Sequence, residues 1–393
     1  MINPYDGINL QSTDRILSVS HQHLSHTSQS LAQKAFDEIY ATGVRHFPIV
    51  QYRPSLITPY DYTANTLRYT IKPIPSDATI EDIKTNYQAI VDIPQDTICS
   101  PCAEQIYPYL LLDGSWYVWT NVHMNSVGSE YESWQKSSED DYGNAGLHCP
   151  YSEGITRILN ELKYPEGGGV IINHPAWTTD NTHKAFDMTR FVRDCLDYDP
   201  RVLGTDMIED GTQKYLTRNT ERIDNILSTG RRCWIFCQND WGHTRGRNEL
   251  LIPSGLTRQQ KERACLKAYR DGAFFSRYAN TDLSITSIGF SSGTFTMTTA
   301  NADGIAVVID GIKTEYSGNS VSVPVRSSAK YVRAYAYINR DDDPNWEYKE
   351  EDIYKDVVYT NPIMINPRTY DYDPAYDVKP AKKHKTNRFW LFG

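Results

Sequence analysis

Two histidines, His21 and His23, stand two residues apart directly after the apolar stretch 16–19. Such a stretch is typical of a buried β-strand, and on a strand residues i and i+2 point to the same face. Two imidazoles side by side at the end of a strand would form half of a metal site. A polar turn that happens to contain histidine is the alternative, because this spacing is short and common.

Further side chains of the types that bind metals follow along the chain. Glu104 precedes a strand-rich segment at 107–119 and His123 comes after it, whereas His174, Asp240 and His243 come just past predicted strands. His174 follows the apolar run 170–172, and Asp240 follows the run 233–237. In barrels of alternating strands and helices, the reactive groups lie at the C-terminal ends of the strands. We therefore expect these side chains to converge on a cation at one rim of the first domain.

The elements that would position these residues alternate between strand and helix. The chain opens with a strand at 16–19, a helix at 28–40 and a second strand at 44–50. After a long excursion rich in Pro, Tyr and Thr, with one helix near 79–91, the alternation resumes near residue 155. Thr257 and Gln260 form a capping box that begins a helix over 258–270. This rhythm predicts an α/β fold built from βαβ units.

The composition changes near residue 281, where β-branched residues alternate with polar residues and turn signals separate the runs. This pattern predicts a small all-β domain of the sandwich type. The sequence therefore predicts an α/β domain over 1–279, a β-sandwich over 280–366 and a tail over 367–393. The tail combines the basic run 382–385 with the aromatic run 389–392, so it is either a docking peptide or a segment folded back on its own domain.

The overall composition limits the possible functions. A net charge of −9 argues against non-specific binding of nucleic acid, and we find no apolar run long enough to cross a membrane. The N-terminal residues lack the pattern of a signal peptide, which favours a cytoplasmic or virion-associated protein. Seven scattered cysteines do not predict a disulfide framework, which fits a reducing compartment.

Taken together, these motifs resemble the PHP (polymerase and histidinol phosphatase) family of metal-dependent phosphoesterases. The segment 20–23, Ser-His-Gln-His, is similar to the first PHP motif, and the segment 173–175, Asn-His-Pro, is similar to the third. Glu104 with His123 resembles the metal-bridging glutamate and its partner, and Asp240 with His243 resembles the last motif. The resemblance covers residues 17–365 and implies a distorted (β/α)7 TIM-like barrel followed by the β-sandwich.

The resemblance also implies a ligand set for two divalent ions, which by their ligand types would be Zn, Mn or Fe. His21, His23, Glu104 and Asp240 would hold the first ion, and Glu104, His123 and His174 would hold the second. His243 would be a further ligand or would donate a hydrogen bond to the substrate. The family's second strand usually ends in Asp-His, but here 50–54 reads Val-Gln-Tyr-Arg-Pro, so a third ion is doubtful. Arg53 in that segment would clamp a substrate phosphate or lie on the surface.

Two hypotheses for function follow. In the first, the protein is a phosphoesterase that hydrolyses a phosphomonoester or phosphodiester, either a small molecule or a polymer, with water activated at the two-ion site. In the second, the protein is a structural or binding component of a particle such as a phage tail, which keeps the barrel and binds a protein partner through its C-terminal tail. A particle-borne hydrolase acting on cell-surface phosphopolymers would combine the two.

Overall fold

The structure is a computed structural model of the chain. It describes residues 1–25, 27–51, 59–70, 78–110, 116–131, 151–175, 188–210, 216–218, 220–240, 245–279, 281–339 and 355–368. The predicted docking tail, apart from its first two residues, lies outside this description.

The described residues form 22 strands and six helices. The strands of the first third of the chain are β1 (Thr13–Ser18), β2 (His46–Phe47), β3 (Tyr60–Asp61), β4 (Thr66–Thr70), β5 (Gln88–Asp92), β6 (Ile98–Cys99), β7 (Glu104–Leu110) and β8 (Trp116–Val127). Those of the middle third are β9 (Gly169–Ile172), β10 (Val202–Asp210), β11 (Leu216–Arg218), β12 (Trp234–Gln238), β13 (Gly246–Pro253) and β14 (Phe274–Tyr278).

The strands of the last third are β15 (Ser284–Ser291), β16 (Thr294–Ala300), β17 (Gly304–Ile309), β18 (Ile312–Ser317), β19 (Ser320–Pro324), β20 (Tyr331–Asn339), β21 (Lys355–Thr360) and β22 (Ile363–Met364). The helices are α1 (Gln29–Ala41), α2 (Ile80–Asn86), α3 (Tyr151–Asn160), α4 (Met188–Tyr198), α5 (Thr220–Leu227) and α6 (Arg258–Asp271).

Two large sheets contain most of these strands. The first has ten strands in the order β18-β17-β20-β21-β14-β13-β1-β2-β6, with β22 beside β20. The second has six strands in the order β11-β10-β9-β8-β7, with β12 beside β10. Two three-stranded sheets, β3-β4-β5 and β15-β16-β19, complete the architecture.

The predicted (β/α)7 barrel is wrong. The protein is mainly β-sheet, and within the described ranges the strands form several separate sheets and no closed barrel. Strand directions are mixed: β1, β2 and β6 are parallel, whereas β13 is antiparallel to β1, and β8 is antiparallel to both β7 and β9. The two large sheets meet through isolated single-residue bridges, Gln22 with Asp240 and Gln51 with Ala103, not through continuous ladders.

The error has a physical cause. Hydrophobic periodicity identifies a strand but does not give its direction, which is set by long-range pairing. The described residues of the predicted strand-rich segment 107–119 lie in an antiparallel pair, β7 and β8. No strand was predicted at β13, which pairs antiparallel with both β1 and β14. These antiparallel pairs are incompatible with an all-parallel barrel.

The all-β prediction for the C-terminal part is confirmed. The sheet β15-β16-β19 packs on one end of the ten-stranded sheet in a sandwich-like arrangement. The two sheets share a buried core that includes Ile285, Phe295, Val307, Val332 and Val358. The ten-stranded sheet also continues through β14 and β13 into β1, so it spans residue 280. The predicted domain boundaries stay a prediction.

Several local predictions are confirmed. Helix α6 begins with the predicted capping box, in which the Thr257 hydroxyl accepts from the Gln260 backbone and the Gln260 side chain accepts from the Thr257 backbone. Helix α1 begins at the N-cap Ser28. The helix predicted near 79–91 is only partly right, because it ends after about two turns at Asn86 and the chain continues as β5. None of the described helices has the length and apolar character needed to cross a membrane.

Two glutamines on α1 form hydrogen bonds with the backbone of β5, at the outer edge of the sheet β3-β4-β5. The backbone N–H of Ile90 donates to the Gln29 side chain at 2.7 Å, and the Gln29 amide donates to the Ile90 carbonyl. One turn later, Gln33 makes the same pair of hydrogen bonds with Asp92, at 2.8 and 3.1 Å. Because an open edge strand carries unpaired backbone groups, these side chains act as a substitute for a neighbouring strand.

Replacing both glutamines with alanine should therefore loosen this sheet. We expect the Gln29→Ala/Gln33→Ala variant to lose about 1–2 kcal/mol of unfolding free energy, since each net hydrogen bond contributes about 0.5–1.5 kcal/mol and these are exposed. Amide exchange at Ile90 and Asp92 should accelerate. The control is Lys34→Ala/Glu38→Ala on the exposed face of the same helix, where an exposed pair 3.8 Å apart should matter little. Equal exchange rates in the two variants would contradict this interpretation.

Candidate metal centre

The His21–His23 segment is held by backbone contacts with the segment that follows β12. The His23 N–H donates to the Asp240 carbonyl at 2.9 Å, and the Asp240 N–H donates to the His21 carbonyl at 3.1 Å. These bonds surround the bridge between Gln22 and Asp240. Because side chains alternate along an extended chain, His21 and His23 share a face and Gln22 points away from it. Both imidazoles are buried.

Glu104 and His123 come from an antiparallel pair of strands. Glu104 is the first residue of β7 and pairs with Asn125 on β8, and His123 lies two residues before Asn125 on the same strand. The Glu104 carboxylate is almost buried, with 9% of its side-chain surface exposed, and the His123 side chain is 16% exposed. His123 is thus the most accessible of the clustered side chains.

His174 and Asp240 complete the cluster from strained backbone positions. His174 follows β9 with φ of 28°, and Asp240 follows β12 with φ of 56°. Non-glycine residues rarely adopt positive φ, and such strain concentrates at functional sites. The His174 side chain turns toward Glu104, and the Asp240 side chain turns toward His21 and His23.

The Glu104 carboxylate lies between the imidazoles. Its Oε1 atom is 3.2 Å from His174 Nε2, 2.8 Å from His123 Nδ1 and 3.4 Å from His21 Nε2. Its Oε2 atom is 3.1 Å from His23 Nε2. On the other side, Asp240 Oδ1 is 3.4 Å from His21 Nε2 and 3.2 Å from His23 Nε2.

These separations suit metal coordination. Two ligands at about 2.0–2.1 Å from a tetrahedral ion lie roughly 3.3 Å apart, and five of the six separations fall within 3.1–3.4 Å. The ligand atoms of two groups converge within 4.8 Å of one another: His21, His23, Glu104 and Asp240 in the first, and Glu104, His123 and His174 in the second. These buried groups could hold a metal ion, and imidazole with carboxylate suits Zn, Mn or Fe.

The two carboxylates are strongly acidic in this setting. Burial would raise the pKa of Glu104, but the neighbouring His123 and His21 outweigh it and hold that pKa well below its usual range. Burial likewise opposes ionisation of Asp240, whose pKa is nevertheless lowered by His21 and by a hydrogen bond with His23. Both carboxylates are therefore ionised at neutral pH and ready to bind a cation.

The histidines differ in protonation. Burial disfavours the charged form of His23, but its hydrogen bonds with Asp240 and Glu104 raise its pKa to about 9. Glu104 also raises the pKa of His123 against the effect of burial. His174 shows the opposite balance, since burial lowers its pKa. Without an ion, a proton on His23 takes the place of the cation between the two carboxylates.

The structure thus brings together six of the predicted ligands: His21, His23, Glu104, His123, His174 and Asp240. That they bind metal stays a prediction. His243, predicted as a ligand or substrate donor, and Arg53, predicted as a phosphate clamp, lie outside the described residues. Gln51 precedes Arg53, and its side chain holds β4, since its amide donates to the Arg68 carbonyl at 2.6 Å and its oxygen accepts from Thr70 N–H.

Three buried polar residues near the cluster were not predicted to have a role. Asn125 and Asn173 lie beside Glu104 and are hydrogen-bonded to each other at 2.8 Å. Asp206, within β10, accepts a hydrogen bond from the His174 backbone, and burial raises its pKa to about 6. An acidic residue in an apolar strand was the available signal for Asp206. Asn173 belongs to the segment 173–175 that resembles the third PHP motif, but nothing in the sequence indicates the hydrogen-bond partners of either asparagine.

Comparison with known protein families, with curated proteins and with solved structures finds no match to this chain.

Proposed function

We propose that this protein is a metal-dependent phosphoesterase with a two-ion site. The single observation that carries the proposal is the position of Glu104, whose carboxylate faces both ligand groups and could be shared by two ions. Two divalent ions held by these residues would polarise a phosphoryl oxygen and would lower the pKa of a water for in-line attack. The resemblance of the ligand motifs to those of the PHP family supports the proposal, whereas the observed fold adds no support.

The charge of the site favours an anionic substrate. Among the six described ligands, Glu104 and Asp240 are the only carboxylates, and the histidines bind metal as neutral imidazoles. Two divalent ions with these six ligands would therefore carry about two positive charges. A phosphate ester matches this charge better than a neutral ester or amide does, and buried ligands with few competing waters would strengthen the attraction.

The chain's own residues have distinct tasks in this proposal. His21, His23 and Asp240 hold the first ion, and their backbone segments fix one another through hydrogen bonds. His174 and His123 hold the second ion. His123, the most exposed of the six, lies where a substrate would enter. Glu104 keeps the two ions at a fixed separation.

The test is a paired measurement of metal content and hydrolysis. Purified protein loaded with Zn²⁺, Mn²⁺ or Fe²⁺ would be assayed on p-nitrophenyl phosphate and on bis-p-nitrophenyl phosphate. We expect turnover of at least one of them and its loss, together with the bound metal, in the His21→Ala/His174→Ala variant. His46→Gln is the matched control, because His46 is a buried histidine outside the cluster, hydrogen-bonded to Ser18 and Ser100 at 2.8 Å each. Full activity in the double variant would reject the mechanism.

A further inference from the structure

Two buried asparagines connect the two ligand groups through a continuous set of hydrogen bonds. The Asn125 side-chain amide donates to the Ser20 carbonyl at 2.7 Å, and the Asn125 oxygen accepts from the Asn173 amide at 2.8 Å. The same Asn173 nitrogen lies 3.3 Å from Glu104 Oε1 and donates to it. Asn125 is fully buried and Asn173 is 2% exposed.

The positions of these residues in the chain link them to the ligands. Ser20 directly precedes His21, and Asn173 directly precedes His174. Asn125 is the register partner of Glu104 across β7 and β8. The Asn173 N–H also donates to the His123 carbonyl at 3.0 Å. These hydrogen bonds therefore involve backbone at or next to His21, His123 and His174, together with the carboxylate of Glu104.

The direction of each hydrogen bond is determined by its partners. A backbone carbonyl and an ionised carboxylate can only accept, so the Asn125 nitrogen must face Ser20 and the Asn173 nitrogen must face Glu104. The Asn125 oxygen is then left to accept from Asn173. The Asn173 oxygen is buried and has no hydrogen-bond partner among the described residues. The Asn173 side-chain nitrogen thus donates two hydrogen bonds, whereas its oxygen accepts none from the described residues.

We infer that Asn125 and Asn173 are positioning residues that fix the rotation of the Glu104 carboxylate. With Asn173 on Oε1, this oxygen faces His123 and His174 of the second group and also lies 3.4 Å from His21 Nε2, whereas Oε2 faces His23 of the first group. Residues that hydrogen-bond to metal ligands orient them and tune the affinity for the ion. The inference rests on the proposed metal centre. In it, the asparagines orient the Glu104 carboxylate so that it can bind both ions.

The experiment measures the two affinities for Mn²⁺ separately, by calorimetric titration of the full chain. In Asn173→Ala we expect the second site to bind about 10–100-fold more weakly, as is typical for loss of such a partner, and the first site to change little. Asn125→Ala should act in the same direction but less strongly. Because Asn125 acts through Asn173, the double variant should bind no more weakly than Asn173→Ala alone.

Asn361→Ala is the matched control. Asn361 is equally buried, and it donates to the Gly272 carbonyl at 2.9 Å and accepts from Ile235 N–H at 2.7 Å, away from the cluster. It should lower thermal stability without changing either affinity. If Asn173→Ala does not fold, Asn173→Ser serves for the same comparison.

The outcomes separate this inference from the proposed function. Two unchanged affinities, equal weakening at both sites, or additive effects in the double variant would overturn the positioning role. If the wild-type protein binds no Mn²⁺, Zn²⁺ or Fe²⁺, the metal centre itself fails. If it binds two ions but hydrolyses neither phosphate ester, the catalytic proposal fails, and the test of the asparagines still decides their role.

Discussion

The Glu104→Gln variant is expected to lose affinity for both ions, by at least about 100-fold for each. The change removes one negative charge and keeps the size of the side chain. Because Glu104 is the one residue common to both ligand groups, its loss affects both ions, whereas the loss of any other ligand affects one group directly. The lower limit follows from the cost of losing an outer partner, which is already about 10–100-fold. Hydrolysis of both test esters should fall to background.

The control for this variant is Glu249→Gln, which also removes a nearly buried carboxylate. Glu249 is paired with Arg15 at 2.9 Å and with Arg277 at 3.4 Å, apart from the cluster. We expect lower stability and normal metal content. Metal content would be measured by elemental analysis after dialysis. A Glu104→Gln protein that keeps two ions would show that the carboxylate is not shared.

The second large effect is a dependence on pH with opposite signs for metal binding and for stability. The folded, metal-free protein keeps a proton on His23 up to about pH 9, whereas an ordinary histidine loses it near 6.5. This proton must leave when an ion binds. We therefore expect the apparent affinity of the first site to increase about tenfold per pH unit between pH 7 and 8.5.

The stability of the metal-free protein depends on pH in the opposite direction to its metal affinity. A pKa that is raised on folding stabilises the folded state fully below the unfolded value of 6.5, and this stabilisation is lost as pH rises toward 9. Thermal stability without metal should therefore decrease from pH 6.5 to 9, an interval in which metal affinity increases. At pH values below the usual pKa of a carboxyl group, acidification also removes stability, because the pKa values of Glu104 and Asp240 are lowered in the folded state.

Calorimetry in buffers with different ionisation enthalpies measures the proton release directly. At pH 7.5 we expect release of about one proton from His23 and a further fraction from His123, and one proton fewer in His23→Gln. A binding enthalpy that is independent of the buffer, or a metal-free protein that becomes more stable from pH 6.5 to 9, would contradict this account of the electrostatics.

The sequence was a better guide to the cluster than to the fold. Histidine and carboxylate residues at predicted strand ends converge in the structure because strand ends such as that of β9 are marked locally, by an apolar run followed by a polar residue. The direction of β13 and the antiparallel pairing of β7 with β8 depend on distant partners, which no local pattern encodes. The same limit explains why Asn125 and Asn173 were not assigned a role, since their contacts cross three strands.

The insertion between β2 and β6 shows a related limit. Gln51 stands where the resemblance led us to expect a ligand, and its side chain instead binds β4. The sequence showed that a ligand type was missing, but it gave no reason for the glutamine. The reason is structural: a neutral amide can donate and accept at once, and the Arg68 carbonyl and the Thr70 N–H of β4 need both.

The most direct test of the central claim is the anomalous scattering of crystals grown with Zn²⁺ or Mn²⁺. The account predicts two peaks about 3.5–4 Å apart, one on either side of the Glu104 carboxylate. One peak should lie among His21, His23 and Asp240, and the other beside His123 and His174. No peak at Glu104, or one peak that all six side chains share, would contradict the two-ion site.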